Sequence, residues 1–318
     1  AYFILVIFMV QTVEDVTLVP VLYTAGVSMA ALTLGTFAIK DKPFTLPTRG
    51  FQIFPDLLKT SSILGLGKFF AQIVHLLPPL IIGGILSLHD AGQYGAAFRI
   101  VVIAMMIDRV FVNLLLPNLA SIWVADRSVA AEKVSTVFKL VVGGGAFIAL
   151  FIALSSEPII HFLYGAEYSE SIILLQILTV MIAVTFINSL FSFGLIATNK
   201  DKEYFLATCF GGTISAILIF SFAAIGNTTL VVISVSLAEI IITLFTYFWF
   251  RKVIPINYIA PLLKSYPVAI LLFILFSFSP LLPVVNAVIA SIIFLGIIHQ
   301  LEILQLDEFQ WAKDKLLK

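Results

Sequence analysis

The feature that most constrains the fold of this chain is a succession of long, nearly uninterrupted apolar runs. A helix needs about 20 mainly apolar residues to cross the hydrocarbon core of a membrane. The runs occupy residues 2–13, 16–39, 61–88, 96–123, 134–155, 171–198, 204–225, 229–250, 267–282 and 284–301. Transmembrane strands instead show segments of about ten residues with alternating polarity. We therefore predict an all-α polytopic membrane protein, a helical bundle of about ten transmembrane segments.

The composition excludes a soluble globular domain. Only 11% of the residues are charged and 61% are hydrophobic, whereas soluble domains carry about 25% charged residues. The net charge is +0, which gives no support for nucleic acid as a partner. The single cysteine excludes an intrachain disulfide and argues against a structural zinc site.

The beginning of the sequence differs from a signal peptide. The chain enters its first apolar run at once, with neither a basic segment before it nor a cleavage signature. We interpret residues 2–13 as the second half of a helix and expect the chain to be N-terminally truncated. The predicted parts are two helices of an incomplete first lobe (1–39), a cytoplasmic interfacial linker (40–60), a six-helix second lobe (61–250), two additional helices (251–301) and a cytoplasmic amphipathic tail (302–318).

The basic residues predict the orientation in the membrane. Lysine and arginine concentrate in cytoplasmic loops of membrane proteins. If the linker at 40–60 is cytoplasmic, nearly all of the basic residues fall on the same side. The loops at 89–95 and 156–170, on the opposite side, are mainly acidic or neutral. We therefore predict a cytoplasmic C-terminus.

Polar residues follow one face of the run at 61–88. Charges at membrane depth are costly and mark candidate functional sites. Lys68, Gln72, His75 and Pro79 are spaced by four, three and four residues, which places them on one helical face. Because Pro78 also precedes Pro79, we predict a bent or unwound helix at this point. The stripe favours a translocation cavity, although Lys68 could also extend its amine to the interface.

The run at 96–123 contributes four further candidate residues. Arg99 lies near its outer end, and Asp108, Arg109 and Asn113 lie near its middle. One interpretation is a structural ion pair; the other is that Arg109 faces a cavity and attracts an anionic headgroup. Glu239, in the run at 229–250, either couples the movement of a proton or cation, or pairs with a neighbouring group.

No pattern in the sequence indicates catalysis in a soluble type of active site. The glycines at 143–145 lie inside an apolar run, where small residues allow close helix packing. The four histidines have no spacing typical of metal ligands. We therefore predict that the protein is not an enzyme, with no catalytic residue, no metal and no cofactor.

Four motifs, in a fixed order, resemble a known family. They are DAGQYGAAFRI at 90–100, LPNLASIW at 116–123, IIHFLYGAEYSESIILLQIL at 159–178 and LIATNKDKEY at 195–204. This pattern resembles the oligosaccharide flippase (Wzx, polysaccharide biosynthesis) family of the MOP superfamily, whose wider relatives are MATE exporters and lipid II flippases. The resemblance runs from about residue 16 to residue 252. It implies a V-shaped helical transporter with two lobes around a central cavity.

The resemblance also implies a function. We expect a flippase that moves polyprenyl-diphosphate-linked oligosaccharide across the bacterial cytoplasmic membrane for the synthesis of O-antigen, capsule or exopolysaccharide. The implied partners are the lipid-linked oligosaccharide, membrane lipids, a coupling proton or sodium ion and the polysaccharide polymerase machinery. The alternatives are a MATE-type cation-coupled multidrug exporter and a lipid II flippase. A polymerase-class enzyme and a membrane scaffold rank behind them.

Overall fold

The computed structural model describes residues 6, 8–10, 12, 14–41, 50–301 and 303. For residues 38–41, 110–121 and most of 50–60 the description covers the backbone and not the side chains. Within the described ranges every regular element is helical and no strand occurs, which confirms the predicted all-α class. The predicted tail at 302–318 and most of the run at 2–13 lie outside the described residues.

Ten α-helices follow one another along the described chain. A short 3-10 turn, Glu14–Thr17, precedes the first, a π-helical segment, Ile82–Leu86, follows the second, and a 3-10 turn, Ala166–Tyr168, precedes the sixth. The helices are α1 (Leu18–Asp41), α2 (Gly50–Ile81), α3 (Leu88–Ala125), α4 (Arg127–Leu154), α5 (Ser156–Tyr164), α6 (Glu170–Ala197), α7 (Asp201–Ala223), α8 (Thr228–Val253), α9 (Ile259–Ser277) and α10 (Pro283–Gln300).

All of these except α5 are long and apolar enough to cross a membrane, so the described residues contain nine candidate spans. This agrees with a polytopic membrane protein. The last two predicted runs are separate helices, because Pro283 occupies the first turn of α10, where its missing amide costs no hydrogen bond. Helix α5 is too short to span and lies within the loop predicted at 156–170.

Side-chain caps define where several helices begin. The Ser87 hydroxyl accepts a hydrogen bond from the Asp90 amide at the start of α3, and the Asn227 side chain accepts one from the Leu230 amide at the start of α8. Asp126 separates α3 from α4 and accepts hydrogen bonds from the Ser128 and Val129 amides. Such caps satisfy amides that have no partner inside the helix. A hydrogen bond from the Ser128 hydroxyl, followed by those from the Ser128 and Val129 amides, lowers the pKa of the exposed Asp126 carboxyl.

Helix α2 is not unwound at the paired prolines themselves, and the expected bend there stays a prediction. Helix α2 continues through Pro78 and Pro79 and becomes irregular only at Ile82–Leu86. The fixed φ of proline is compatible with a helix, so the prolines remove hydrogen bonds without ending the helix. The same helix begins at Gly50, so the backbone of 50–60 is continuous with the span that follows.

The contacts divide the chain into two compact units, Ala1–Lys59 and Thr60–Lys318. In the first unit, α1 has mostly exposed apolar side chains, as a helix surrounded by lipid would. In the second unit, α6 lies at the centre and packs against α3, α4 and α8. Helix α7 packs on α8, and α9 and α10 pack on α4. The candidate site lies on the polar face of α6.

Hydrogen bonds join the helices at one end of this second unit, which we call the clamp end. Gln93 of α3 donates a hydrogen bond to the Glu167 carbonyl oxygen at 2.9 Å. Its own side-chain oxygen accepts hydrogen bonds from the Ser171 amide at 3.1 Å and the Ser171 hydroxyl at 2.6 Å. The Thr228 hydroxyl donates to Asp90 at 2.7 Å. These contacts hold the beginnings of α3, α6 and α8 together.

The opposite end, which we call the tryptophan end, carries Trp123 and Trp249 near the ends of α3 and α8. Beside it, Tyr258 packs against the rings of Phe138, Phe191 and Phe250 at centroid distances of 5.1, 5.5 and 6.2 Å. Burial raises the pKa of the Tyr258 phenol, so this group stays neutral and donates a hydrogen bond to the Ile254 carbonyl oxygen. Aromatic packing therefore joins α4, α6 and α8 at this end.

Candidate functional site

A row of polar side chains crosses the otherwise apolar middle of α6. Thr185, Asn188, Ser189 and Ser192 occupy positions i, i+3, i+4 and i+7, so they share one helical face. Helices α3 and α8 pack beside this face and each adds one carboxylate to it. We call this arrangement the polar cluster. The two carboxylates were predicted from the sequence, because each is a charge within an apolar run. The polar face of α6 was not predicted, although its spacing is visible in the sequence.

Glu239 of α8 is 2% exposed and receives two hydrogen bonds from α6. The Thr185 hydroxyl donates to its Oε1 at 3.0 Å and the Asn188 side-chain amide donates to the same atom at 3.2 Å. The Asn188 oxygen in turn accepts from the hydroxyls of Ser192 at 3.1 Å and Thr246 at 3.0 Å. A buried carboxylate needs such donors, because its desolvation is otherwise uncompensated.

Asp108 of α3 is 3% exposed and only partly satisfied. The Ser189 hydroxyl donates to its Oδ2 at 2.5 Å. Its Oδ1 is buried and has no hydrogen-bond partner among the described residues. Most buried polar atoms in proteins have a partner, so an orphaned carboxylate oxygen indicates an atom that is free to bind a proton, a cation or a hydroxyl group.

Two further side chains, a cationic arginine and a titratable histidine, interact electrostatically with these carboxylates. Arg109 interacts electrostatically with Asp108, and His75 of α2 interacts electrostatically with both Glu239 and Arg109. Arg109 is exposed and has no salt bridge within 4.0 Å to any carboxylate in the described ranges. His75 is half-buried with its ring 6.3 Å from that of Phe98. The guanidinium of Arg109 therefore keeps its donors available.

The structure thus brings together four of the residues singled out from the sequence, His75, Asp108, Arg109 and Glu239. Within the described ranges, the structure shows no such interaction for the other four. Lys68, Gln72 and Arg99 have exposed side chains, with no hydrogen bond or ion pair to the polar cluster in the part of the chain that is described. The side chain of Asn113 lies outside the described residues.

The chemistry available to the polar cluster is ionic. Two buried carboxylates can exchange a proton or hold a small cation, and a free guanidinium can bind phosphate oxygens. The described residues contain no group of three or more side chains suited to a metal ion. The arrangement therefore suits the recognition of charged groups within the membrane.

Comparison with known sequences finds a family whose model matches part of the chain. Residues 21–173 match the model of a family described as polysaccharide biosynthesis protein. This segment includes His75, Asp108 and Arg109 and ends before Glu239. Searches of curated proteins and of solved structures give no match. Over just under half of its length, this multi-pass membrane chain is therefore similar to polysaccharide biosynthesis proteins.

Proposed function

We propose that this chain is a flippase that moves polyprenyl-diphosphate-linked oligosaccharide across the cytoplasmic membrane of a bacterium. The observation that carries the proposal is the match of residues 21–173 to the polysaccharide biosynthesis family in a chain with nine candidate spans over its described residues. A membrane-embedded step of this kind needs a site that binds an anionic group without covalent chemistry. The polar cluster supports such a role.

Arg109 is the residue that attracts the diphosphate in this proposal. Its guanidinium is exposed and has no ion-pair partner among the described side chains, so its planar set of donors can bind two phosphate oxygens at once. His75 lies close enough to add a second interaction. Asp108 and Glu239 supply the coupling step, because loading or releasing a proton or sodium ion changes the local charge next to Arg109.

The orientation belongs to the same proposal. The tryptophan end faces the cytoplasm, because Arg127, Lys200, Lys202, Arg251 and Lys252 all lie there. The clamp end then faces the periplasm, and the oligosaccharide travels from the tryptophan end towards the clamp end.

The experiment is a flipping assay in proteoliposomes that contain the full chain and a fluorescent polyprenyl-diphosphate oligosaccharide. An impermeant glycosidase measures how much of the lipid has changed leaflet. Arg109→Gln should slow flipping about tenfold or more, since hydrogen bonds to charged groups contribute about 1.5–3 kcal/mol. Arg109→Lys should recover only part of the rate, because an ammonium cannot form the bidentate contact.

The matched control is Arg251→Gln, which removes an exposed arginine at the tryptophan end. This variant should flip the lipid-linked oligosaccharide at the rate of the unmodified chain. Normal flipping by Arg109→Gln at normal protein abundance would refute the role of Arg109. No flipping by the unmodified chain would refute the function itself.

A second candidate function, export of organic cations, is favoured by one observation. The free Oδ1 of the buried Asp108 is an acceptor for a cationic ligand. The same proteoliposomes, loaded with a fluorescent organic cation and given a pH gradient, separate the two functions. Cation transport that Glu239→Gln abolishes, without oligosaccharide flipping, would favour the exporter.

A further inference from the structure

A pocket lies at the tryptophan end, away from the polar cluster. It has a volume of about 400 Å³ and lies among the ends of α3 and α8, the first turns of α4 and α7, and the turn between α6 and α7. Its charged and aromatic lining consists of Trp123, Arg127, Lys200, Glu203, Trp249 and Lys252. Trp123 is 15 residues beyond Asp108 in α3, about 22 Å along the helix axis. We call this cavity the tryptophan pocket.

The pocket carries an excess of positive charge. Three of its side chains are cations and one is a carboxylate. Glu203 pairs with Lys200, with 3.3 Å between the carboxylate oxygen and the ammonium nitrogen. Arg127 and Lys252 have no carboxylate within 4.0 Å among the residues described, so their charges remain uncompensated by the protein. A negatively charged ligand fits this balance.

The two uncompensated cations are held in place by aromatic rings. The Arg127 guanidinium carbon lies 5.2 Å from the centre of the Trp123 ring. The Lys252 ammonium lies 4.8 Å from the centre of the Trp249 ring and 4.0 Å from that of Phe248. Contacts between cations and rings are attractive and leave the N–H groups free to donate hydrogen bonds. The donors are therefore positioned before a ligand arrives.

The surroundings of the pocket are those of a lipid headgroup. Tryptophans concentrate where the hydrocarbon core meets the headgroups, and both tryptophans of the pocket lie at helix ends. Below them on α7 and α8, the apolar side chains of Phe210, Leu244 and Phe248 are 57, 59 and 42% exposed. A molecule with a phosphate in the pocket would have its acyl chains against this surface. Free phosphate would gain nothing from it.

We propose that the tryptophan pocket binds the phosphate group of an anionic phospholipid through Arg127 and Lys252. Basic pockets between membrane helices on the cytoplasmic side recognise lipid headgroups in this way. The site is separate from the polar cluster, and the inference stands whether or not the chain transports oligosaccharide. A bound phospholipid joins α4 to α8 and stabilises this end of the helical bundle.

The test uses the tryptophans as reporters. The chain has three tryptophans, so a Trp311→Phe background leaves only the two that line the pocket. Phosphatidylglycerol with brominated acyl chains quenches tryptophan fluorescence on contact, and brominated phosphatidylcholine is the zwitterionic comparison. We expect phosphatidylglycerol to reach half-maximal quenching at a mole fraction at least about fivefold lower than phosphatidylcholine does. Each basic residue near a membrane surface contributes about that factor to the binding of an anionic lipid.

The double variant Arg127→Gln/Lys252→Gln should lose this preference. Lys202→Gln, which removes an exposed lysine two residues from Lys200 and outside the pocket, should keep it within about twofold. An equal preference in all of these proteins would overturn the assignment. Equal quenching by both lipids in the unmodified pocket would also overturn it, and competition by added inorganic phosphate would then identify a site for a free anion.

A measurement without substitutions in the pocket covers the case in which the double variant does not fold. Raising the salt concentration to about 1 M shortens the screening length to about 3 Å. The ratio of the half-maximal mole fractions of phosphatidylcholine and phosphatidylglycerol should then fall towards one. A preference that salt leaves unchanged would contradict binding through Arg127 and Lys252.

Discussion

Replacing Gly212 by Ala should destabilise the packing of α7 against α2. A Cβ atom at Gly212 would lie 2.6 Å from the backbone carbonyl oxygen of Phe70. No rotation of a side chain can relieve this contact, because the obstacle is backbone. One of the two helices must move by several tenths of an ångström. Helix α2 carries His75, so this movement would also displace a side chain that interacts electrostatically with Glu239 of the polar cluster.

The magnitude follows from two opposing effects. Overpacking a close contact costs about 1–3 kcal/mol. Alanine in place of glycine within a helix raises the free energy of unfolding by about 0.5–1 kcal/mol. We therefore expect Gly212→Ala to lower the free energy of unfolding by about 1 kcal/mol, the middle of a range from about 0 to about 2.5 kcal/mol. Gly65 in α2 provides the matched control, because a Cβ atom there would meet nothing within 4 Å. Gly65→Ala should raise the free energy of unfolding by about 0.5–1 kcal/mol.

The assay is unfolding of the purified chain in mixed micelles with increasing sodium dodecyl sulfate, followed by intrinsic fluorescence. The two variants should shift the midpoint in opposite directions relative to the unmodified chain. If Gly212→Ala stabilises the protein as much as Gly65→Ala does, then the close approach of α7 to α2 is incorrect and the reasoning fails.

Three further outcomes are expected. Gln93→Ala should lower the free energy of unfolding by about 1–3 kcal/mol in the same assay, because the buried Ser171 amide loses its acceptor, whereas the Ser171 hydroxyl keeps the backbone oxygen of residue 93. A loss below about 0.5 kcal/mol would contradict this. Phe162→Cys, at a position 88% exposed, should react with an impermeant thiol reagent outside intact cells, and Lys202→Cys should not; the reverse pattern would invert the orientation. Asp126→Ala should lower the melting temperature at neutral pH. Hydrogen bonds from Ser128 lower the pKa of the Asp126 carboxyl in the folded state. The carboxylate therefore stabilises the fold above its unfolded pKa of about 3.9, and this stabilisation disappears as the pH falls through the lower folded pKa. The melting temperatures of the variant and the unmodified chain should converge at that low pH.

The membrane helices could be predicted from the sequence because lipid imposes a simple rule on each segment separately. A run such as 171–198 must be helical whatever its neighbours are, and α6 occupies nearly the same residues. The irregular backbone was harder to locate. The prolines predicted an irregularity at residues 78–79, whereas the π-helical segment is Ile82–Leu86, which contains Gly83 and Gly84.

The candidate site could be predicted only in part, for a physical reason. A charge within an apolar run stands out, so Asp108, Arg109 and Glu239 could be identified one at a time. Which groups satisfy them depends on the rotation and depth of other helices. The hydrogen bond from Ser189 to Asp108 joins residues 81 positions apart, and periodicity within one helix contains no information about it. Gln93 shows the same limit, since the sequence placed it in a loop and the structure buries it at 3% exposure.

The paired prolines of α2 leave two main-chain oxygens without their usual hydrogen-bond donors. Pro78 and Pro79 carry no N–H, so the carbonyl oxygens of Val74 and His75 lack the amide donors that an α-helix would give them. The carbonyl oxygen of His75 belongs to a residue whose side chain interacts electrostatically with Glu239 of the polar cluster. A sugar hydroxyl or a water molecule that reaches it meets an acceptor that belongs to the peptide backbone. An alanine scan of the side chains would leave this acceptor in place, and only restoring the amide, by Pro79→Ala, would remove it.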